Sequence, residues 1–273
     1  MKFRNNGNYE VNILQLQSIN PSIKALAVII LVLCLSFVFD PVTPFILWLL
    51  VLAVTFILGK VKLKRWLFFF FPFFILAFGY IWTTVVFSQP PAEIRTVTLV
   101  QLGPVVITDY GLSIGLALGF RVLCFSCLSL LFIMTTDPIK FILSLTQQCK
   151  MPPKIAYGIL AGYRFLPLLK DELQIIRHAH KVRGVNRMQG FRGKIEAKIK
   201  CIIPLLASAI RKAERTAIAM ESKGFTGSRN RTFFHKVTVC RHDWFFLCLM
   251  VGLFFVSLFI SVLLGTFRGI GSL

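Results

Sequence analysis

The sequence predicts an all-α fold: a polytopic membrane protein with about five transmembrane helices and a cytoplasmic domain of amphipathic helices. Three observations carry this expectation. Of the 273 residues, 56% are hydrophobic, and they gather in runs long enough to cross a bilayer. The formal net charge is +20, with most of the cations outside those runs. From Asp137 to Asp243 the continuous apolar runs give way to the three- and four-residue steps of amphipathic helices.

The start, Met1 to Glu10, is polar, and the first apolar run begins beside Lys24, so no cleaved signal peptide is expected. Runs suited to a hydrocarbon core of about 30 Å occur at Ile23 to Phe39, Val42 to Leu58, Trp66 to Phe87, Gly111 to Met134 and Trp244 to Leu264. Asp40-Pro41 alone separates the first two, which predicts a tight turn at one membrane surface. Ser88 to Tyr110 contains the alternating segments Thr96 to Val100 and Val105 to Thr108 around Gly103-Pro104, the pattern of a small external hairpin. Residues 1–136 are thus expected to form a membrane domain, 137–243 a cytoplasmic domain, and 244–273 the last transmembrane helix with an external C-terminus.

Orientation follows from the cations. Lys2, Arg4 and Lys24 accompany the start of the first run, and Lys60, Lys62, Lys64 and Arg65 fill the link between the second and third. Between Asp137 and Asp243 there are 21 Lys or Arg against 7 Asp or Glu, so this block holds +14 of the net charge. The N-terminus and the basic block are placed in the cytoplasm and the chain in the cell membrane. Such a basic balance suits anionic headgroups, and no regular alternation of bases with aromatics points to nucleic acid.

Within the block, Leu166, Leu169, Leu173, Ile176 and His180 step by three and four, predicting a helix of about four turns that ends at Arg183. A second stripe, Ile199, Ile203, Leu206, Ile210, Ala213, Ala217 and Met220, predicts a helix ending at Lys223. The two ends nearly repeat: Ala179-His180-Lys181-Val182-Arg183-Gly184-Val185 and, forty positions on, Ala219-Met220-Glu221-Ser222-Lys223-Gly224-Phe225. In each, a cation at the negative end of the helix dipole precedes a glycine able to take the left-handed C-cap geometry. Capping explains either end alone. Two copies on neighbouring amphipathic helices beneath a membrane domain suggest docking onto a soluble partner.

The membrane half offers a further stripe, Gly111, Gly115 and Gly119, whose four-residue spacing lets another helix approach closely. Packing within the chain is the first expectation and contact with a separate membrane subunit the second. Arg121 lies within the same run and should face protein, water or a polar backbone group.

Catalytic chemistry is missing from the pattern. Gly190-Phe191-Arg192-Gly193-Lys194 lacks the spacing and hydroxyl of a phosphate-binding loop, so any ATP must be hydrolysed on another protein. Ser, His and acidic residues show no arrangement of a nucleophile with its base. His178 and His180 point different ways on a helix, and His235, Cys240 and His242 form a loose cluster read as solvated or headgroup-facing, so neither a metal site nor any cofactor is expected. The seven cysteines imply no disulfide framework, and Cys124-x-x-Cys127 sits in an apolar run where packing is favoured over redox chemistry.

Asn20-Pro21-Ser22-Ile23-Lys24, Thr135-Thr136-Asp137-Pro138, Tyr163-Arg164-Phe165-Leu166-Pro167 and the paired glycine-ended motifs together resemble the transmembrane (T) component of energy-coupling factor transporters, a family of cobalt and vitamin ABC importers. The resemblance covers nearly the whole chain. It implies that the two cytoplasmic helices are coupling helices whose ends dock on two ATP-binding cassette ATPase subunits, identical or different. A separate substrate-binding membrane (S) subunit would capture a vitamin or transition-metal ion. On this resemblance Val182, Arg183, Gly184, Ser222, Lys223 and Gly224 form the ATPase-docking sites. The family motif reads Ala-Arg-Gly, so Val182, Ser222 and Lys223 depart from it, and Lys223 offers a point charge where Arg would make two parallel hydrogen bonds. Two alternatives remain open: a conventional ABC permease subunit that itself forms the substrate path, and a membrane-anchored scaffold that binds anionic lipid or a signalling partner.

Overall fold

Proline and short polar residues punctuate the chain into helices at the places where the apolar runs begin and end. The computed structural model describes residues 16, 19–59, 61–87, 98–102, 105–184, 190–228, 232–234 and 236–265. In chain order the elements are α1 (Pro21–Ser36), α2 (Val42–Ile57), α3 (Leu63–Phe87), β1 (Thr98–Leu102), β2 (Val105–Thr108), α4 (Asp109–Thr135), α5 (Pro138–Gln148), α6 (Pro153–Val182), α7 (Gly190–Ser222) and α8 (Arg241–Leu263). The chain divides into two units, one comprising Met1–Ser144 with Val237–Leu273, the other Leu145–Lys236.

In the first unit, the helix starts are built locally. The Asn20 side chain accepts from Ser22 N at 3.1 Å, and Pro21 occupies the first helical position, where its missing N–H costs nothing. Asp40 opens α2, its Oδ2 accepting from Thr43 N at 3.0 Å and from the Thr43 hydroxyl at 2.6 Å. Thr108 caps α4 through Gly111 N at 3.1 Å. The two strands pair antiparallel, with Leu102 opposite Val105 and Thr98 opposite Thr108, so the hairpin expected around Gly103-Pro104 is present and the remaining described elements are helices.

Three helices, α3, α4 and α8, are long and apolar enough to cross a membrane. α1 and α2 are apolar but have 16 residues each, about 24 Å of helix against a hydrocarbon core of about 30 Å. Both are cut short by polar punctuation, α1 by Asn20-Pro21 and α2 by the Asp40-Pro41 turn.

α4 is the central helix: half of its apolar window is buried, against 17% for α3 and 28% for α8. α3 and α2 pack along α4, and α1 and α2 pack against α8. Leu31, Leu35, Leu47, Val51, Cys124, Cys127, Leu128, Leu131 and Met250 form the centre, where Cys124 and Cys127 are fully buried free thiols. Trp66 stacks on Phe70 with ring centroids 4.4 Å apart, and Phe56 meets Trp66 edge-on at 5.4 Å. The other face of α3 is left open, with Phe68, Phe71, Phe74 and Phe78 each more than half exposed. Lipid tails are as apolar as these side chains, so close packing, not exclusion of water, holds such helices together.

A buried polar cluster joins helix ends within this unit. Lys24, only 1% exposed, donates from Nζ to Thr135 O at 3.1 Å, the last carbonyl of α4. Asp243 accepts from Asn20 N at 2.8 Å through Oδ1 and from Cys240 N at 2.7 Å through Oδ2, so one carboxylate holds the starts of both α1 and α8. The start of α1, the end of α4 and the start of α8 therefore lie at one end of the bundle. At the other end the Ser261 hydroxyl donates to Asp40, tying the α1–α2 turn to the last turn of α8.

The second unit is an antiparallel pair, α6 and α7. Glu172 on α6 accepts from Ser208 Oγ and Lys212 Nζ on α7, His180 contacts Lys200 O at 3.2 Å, and Tyr157 meets Phe225 edge-on at 5.5 Å. α6 ends where the sequence predicts but is about eight turns long, not about four. Pro153 at the first helical position starts it well before the stripe that begins at Leu166, and Pro167 lies inside it. An interior proline removes one backbone hydrogen bond without ending a helix whose flanking turns are intact. Ile199, Ile203, Leu206 and Ile210, the stripe of α7, are exposed, while Cys201, Leu205, Ser208 and Lys212 lie on a more buried face.

Two outcomes follow from this packing. At Gly119 an added Cβ overlaps the Ile81 side chain of α3, and at Gly115 it lies 2.9 Å from Val85 Cγ2 and 3.3 Å from Ile81 O, whereas at Gly252 it meets nothing within 4 Å. Replacing Gly119 by Leu should therefore cost about 1–3 kcal/mol, read as a lower midpoint of thermal unfolding in detergent, with Gly252→Ala leaving that midpoint unchanged or raised. Glu172 is held below the ordinary carboxylate range, first by the Lys212 hydrogen bond and then by Ser208. Its folded pKa being depressed, its contribution is complete above the unfolded value of about 4.3 and fades as pH falls through the folded one. Protection of the α6 and α7 amides, taken relative to the intrinsic exchange rate at each pH, should fall in acid for the unaltered chain, and Glu172→Gln should remove that component of the pH dependence.

Candidate functional site

The two glycine-ended segments close their helices by the same backbone device. At the end of α6, Arg183 is the C-cap, its N–H donating to Ala179 O at 3.1 Å, and Gly184 N donates to Lys181 O at 3.2 Å. At the end of α7, Gly224 N donates to Glu221 O at 2.9 Å and Phe225 N to Met220 O at 3.0 Å, the paired bonds of a Schellman motif. Gly184 and Gly224 have φ of 73° and 83°, the left-handed region that an L side chain enters only with strain.

These backbones leave the side chains outside. Val182 is 89% exposed, and Arg183, Gly184, Ser222, Lys223 and Gly224 are all exposed as well. An apolar side chain as open as Val182 is not serving the packing of its own unit. Arg177 and Lys181 lie on the last two turns of α6 before Arg183, so that end is electropositive, whereas at the α7 end Lys223 follows Glu221 and is the cation that the motif itself supplies.

Because α6 and α7 run antiparallel, the two ends are not neighbours. Phe225, directly after the second motif, stacks on Tyr157 near the start of α6, while Gly184 follows that helix's last turn. The stretch from Tyr157 to Gly184 corresponds to about 40 Å of helix. One small partner cannot cover both ends, but a two-fold or paired partner can.

The contact that seats the second motif escaped the sequence reading. Past Phe225, Gly227 adopts φ of 70°, and a Cβ there would fall 2.5 Å from Lys154 Cγ. The chain thus passes tightly over the first turn of α6. Its sequence signal is Gly224-x-x-Gly227, two glycines close after a helix end.

The structure brings the membrane-half candidates together elsewhere. Gly111, Gly115 and Gly119 are buried, and the space beside Gly115 and Gly119 is filled by Ile81 and Val85 of α3. Arg121 donates from Nη2 to Val38 O and lies with its guanidinium carbon 5.2 Å from the Phe39 ring centroid, so a backbone carbonyl and an aromatic face accommodate its charge. His235 lies outside the described residues, and among the described residues no group of three His, Cys, Asp or Glu could hold a metal. His180 is engaged with Lys200 O between the paired helices.

Comparison with known proteins gives these ends a context. A family model described as cobalt transport protein, CbiQ, matches residues 15–234. The energy-coupling factor transporter transmembrane protein EcfT of Streptococcus equi subsp. equi is 31% identical over 227 residues, covering 78% of this chain and 80% of that protein. EcfT of Streptococcus thermophilus is 29% identical over 242 residues, 85% of this chain and 88% of the relative. EcfT of Listeria innocua reaches 34% over 167 residues, 58% of this chain and 62% of the relative. The matched residues include α6, α7 and both glycine-ended motifs, and the chain therefore belongs to the cobalt transport protein family, as a transmembrane (T) component of energy-coupling factor transporters.

Proposed function

We propose that this chain is the coupling subunit of an ATP-driven importer, with the ends of α6 and α7 as the docking points for two ATP-binding cassette subunits. The observation that supports this best is the pair of exposed basic ends at opposite ends of an antiparallel helix pair. In each, the left-handed glycine ends the helix abruptly and the preceding cation reaches outward. Arg183 can meet an acidic groove through two parallel hydrogen bonds, and Lys223 meets it as a point charge. The pair thus suits two ATPase grooves that differ in chemistry.

The chain carries no phosphate-binding loop, so hydrolysis belongs to the ATPase subunits. Movement at the two ends would pass along the rigid helices to a substrate-binding membrane subunit. The exposed Ile199, Ile203, Leu206 and Ile210 of α7 give that subunit an apolar face to rest on. The family description favours a transition-metal ion such as cobalt as cargo, and a vitamin is the other cargo that the resemblance to energy-coupling factor transporters implies. The basic balance of residues 137–243 favours an orientation with the coupling helices and the N-terminus in the cytoplasm and the end of α8 outside.

Changing Arg183 and Lys223 together to Glu reverses the charge at both ends without altering either capping glycine. Co-purification of the ATP-binding cassette subunits in mild detergent should fall by at least about tenfold, since each buried charged pair is worth about 2 kcal/mol or more. Arg183→Glu alone should weaken assembly more than Lys223→Glu alone. Intact assembly of the double variant would remove the docking assignment.

A further inference from the structure

Only two stretches of backbone connect the Leu145–Lys236 unit to the rest of the chain, one leaving at Ser144 and one returning at Val237. Both are held by the first turn of α1. Ser22 Oγ donates to Ser144 Oγ at 2.7 Å, on the last residue before the chain leaves. Asn20 Nδ2 donates to Thr238 O at 3.4 Å, on the second residue after it returns. One turn further along, Lys24 reaches the final carbonyl of α4 at Thr135, and Asn20 N reaches Asp243 in the first turn of α8.

Such a cluster needs a reason, because it is costly. Asn20, Lys24, Thr135, Ser144 and Asp243 are each no more than 5% exposed. Withdrawing an ammonium and a carboxylate from water costs several kcal/mol per ion before their interactions recover it, and apolar residues of similar volume often serve stability as well. A cluster kept despite that cost is better suited to fixing one geometry. The ammonium sits at the negative end of the α4 dipole and the carboxylate at the positive end of α8, so each charge recognises a particular helix terminus.

We propose that the Asn20–Lys24 turn is the mechanical link between the basic unit and the membrane half: Asn20, Ser22 and Lys24 are positioning residues that pass displacement of both connecting strands into α1, α4 and α8 together. This rests on the coupling reading above and adds the place where motion enters the membrane helices. With both connections gripped by one turn, a pull on either strand moves three helix ends as a body. Without the grip, the strands can yield while the helices stay still.

The test uses the assembled complex of this chain with its ATPase and substrate-binding subunits, and amide hydrogen exchange with and without a non-hydrolysable ATP analogue and Mg2+. In the unaltered complex, nucleotide should change exchange in α6 and α7 and also in the first turn of α1, the last turn of α4 and the first turn of α8. In Lys24→Met, which loses one charge-assisted hydrogen bond, the response of α6 and α7 should persist while the response at those three helix ends shrinks about tenfold; Asn20→Ala, which keeps the backbone bond to Asp243 and loses only the neutral side-chain bonds to Thr238 O and Ser22 N, should shrink it in the same direction by less. Lys24→Arg, which keeps a cationic donor, should restore most of it. A merely structural role would raise exchange equally with and without nucleotide and leave the difference intact, and that result overturns the proposal. So does an unaltered complex in which α6 and α7 respond but the three helix ends do not. If α6 and α7 themselves fail to respond, the coupling reading has failed and the link with it. Should Lys24→Met not assemble, Ser22→Ala removes a single neutral hydrogen bond and carries the same comparison.

Discussion

Helix ends set the terms of this structure. Each terminus carries backbone groups that no intrahelical bond satisfies, and inside or beside hydrocarbon, water is not there to complete them. The membrane half answers with side chains that reach from one helix to the end of another. Lys24 takes the last carbonyl of α4, and Asp243 takes the N–H groups of Asn20 and Cys240. Asp40 opens α2 and accepts from Ser261 near the end of α8. The bundle is therefore pinned at both ends by polar contacts, and its middle is free to be close-packed by Leu, Val and the glycine face of α4. The same requirement is met differently in the basic unit, where α6 and α7 finish on their own left-handed glycines. Those ends need no partner from the fold. That self-sufficiency is what leaves Arg183 and Lys223 available to another protein.

How much of this the sequence disclosed depended on the range over which each signal acts. Boundaries set by local chemistry were legible: Asn20-Pro21 starts α1, Asp40-Pro41 separates α1 from α2, and the C-caps stand at Arg183 and Lys223 as read. The hairpin at Gly103-Pro104 followed from period-two alternation in the same way. The length of α6 was not legible because the apolar stripe begins only at Leu166, whereas helical turns run on either side of Pro167 back to Pro153. Contacts made at long sequence separation left no local trace. Glu172 and Lys212 lie forty positions apart, and nothing in either helix's periodicity marks them as partners.

Lys24 shows the limit most clearly. By composition it counts as one more cation at the end of a span and so helps to fix orientation. In the fold it is 1% exposed and spends its charge on the end of α4. Its value to a topology argument and its structural role are separate properties of one ammonium. The glycine spacing of α4 carries a similar ambiguity, because a small-residue stripe permits close approach by any helix, and only the position of Ile81 identifies α3 as the one that uses it.

The difference between the two proposed docking ends can be weighed in physical terms. Both segments close on a left-handed glycine whose N–H donates to the carbonyl three residues back, so they share this backbone feature and differ in the cation before it. A guanidinium fixes the direction of its partner carboxylate, whereas an ammonium tolerates rotation about its own end. Rigid engagement at Arg183 with looser engagement at Lys223 would let the α7 end pivot while the α6 end stays in register. The asymmetry is thus consistent with one end acting as the anchor and the other as the hinge, and a pair of non-identical ATPase subunits would be the natural counterpart.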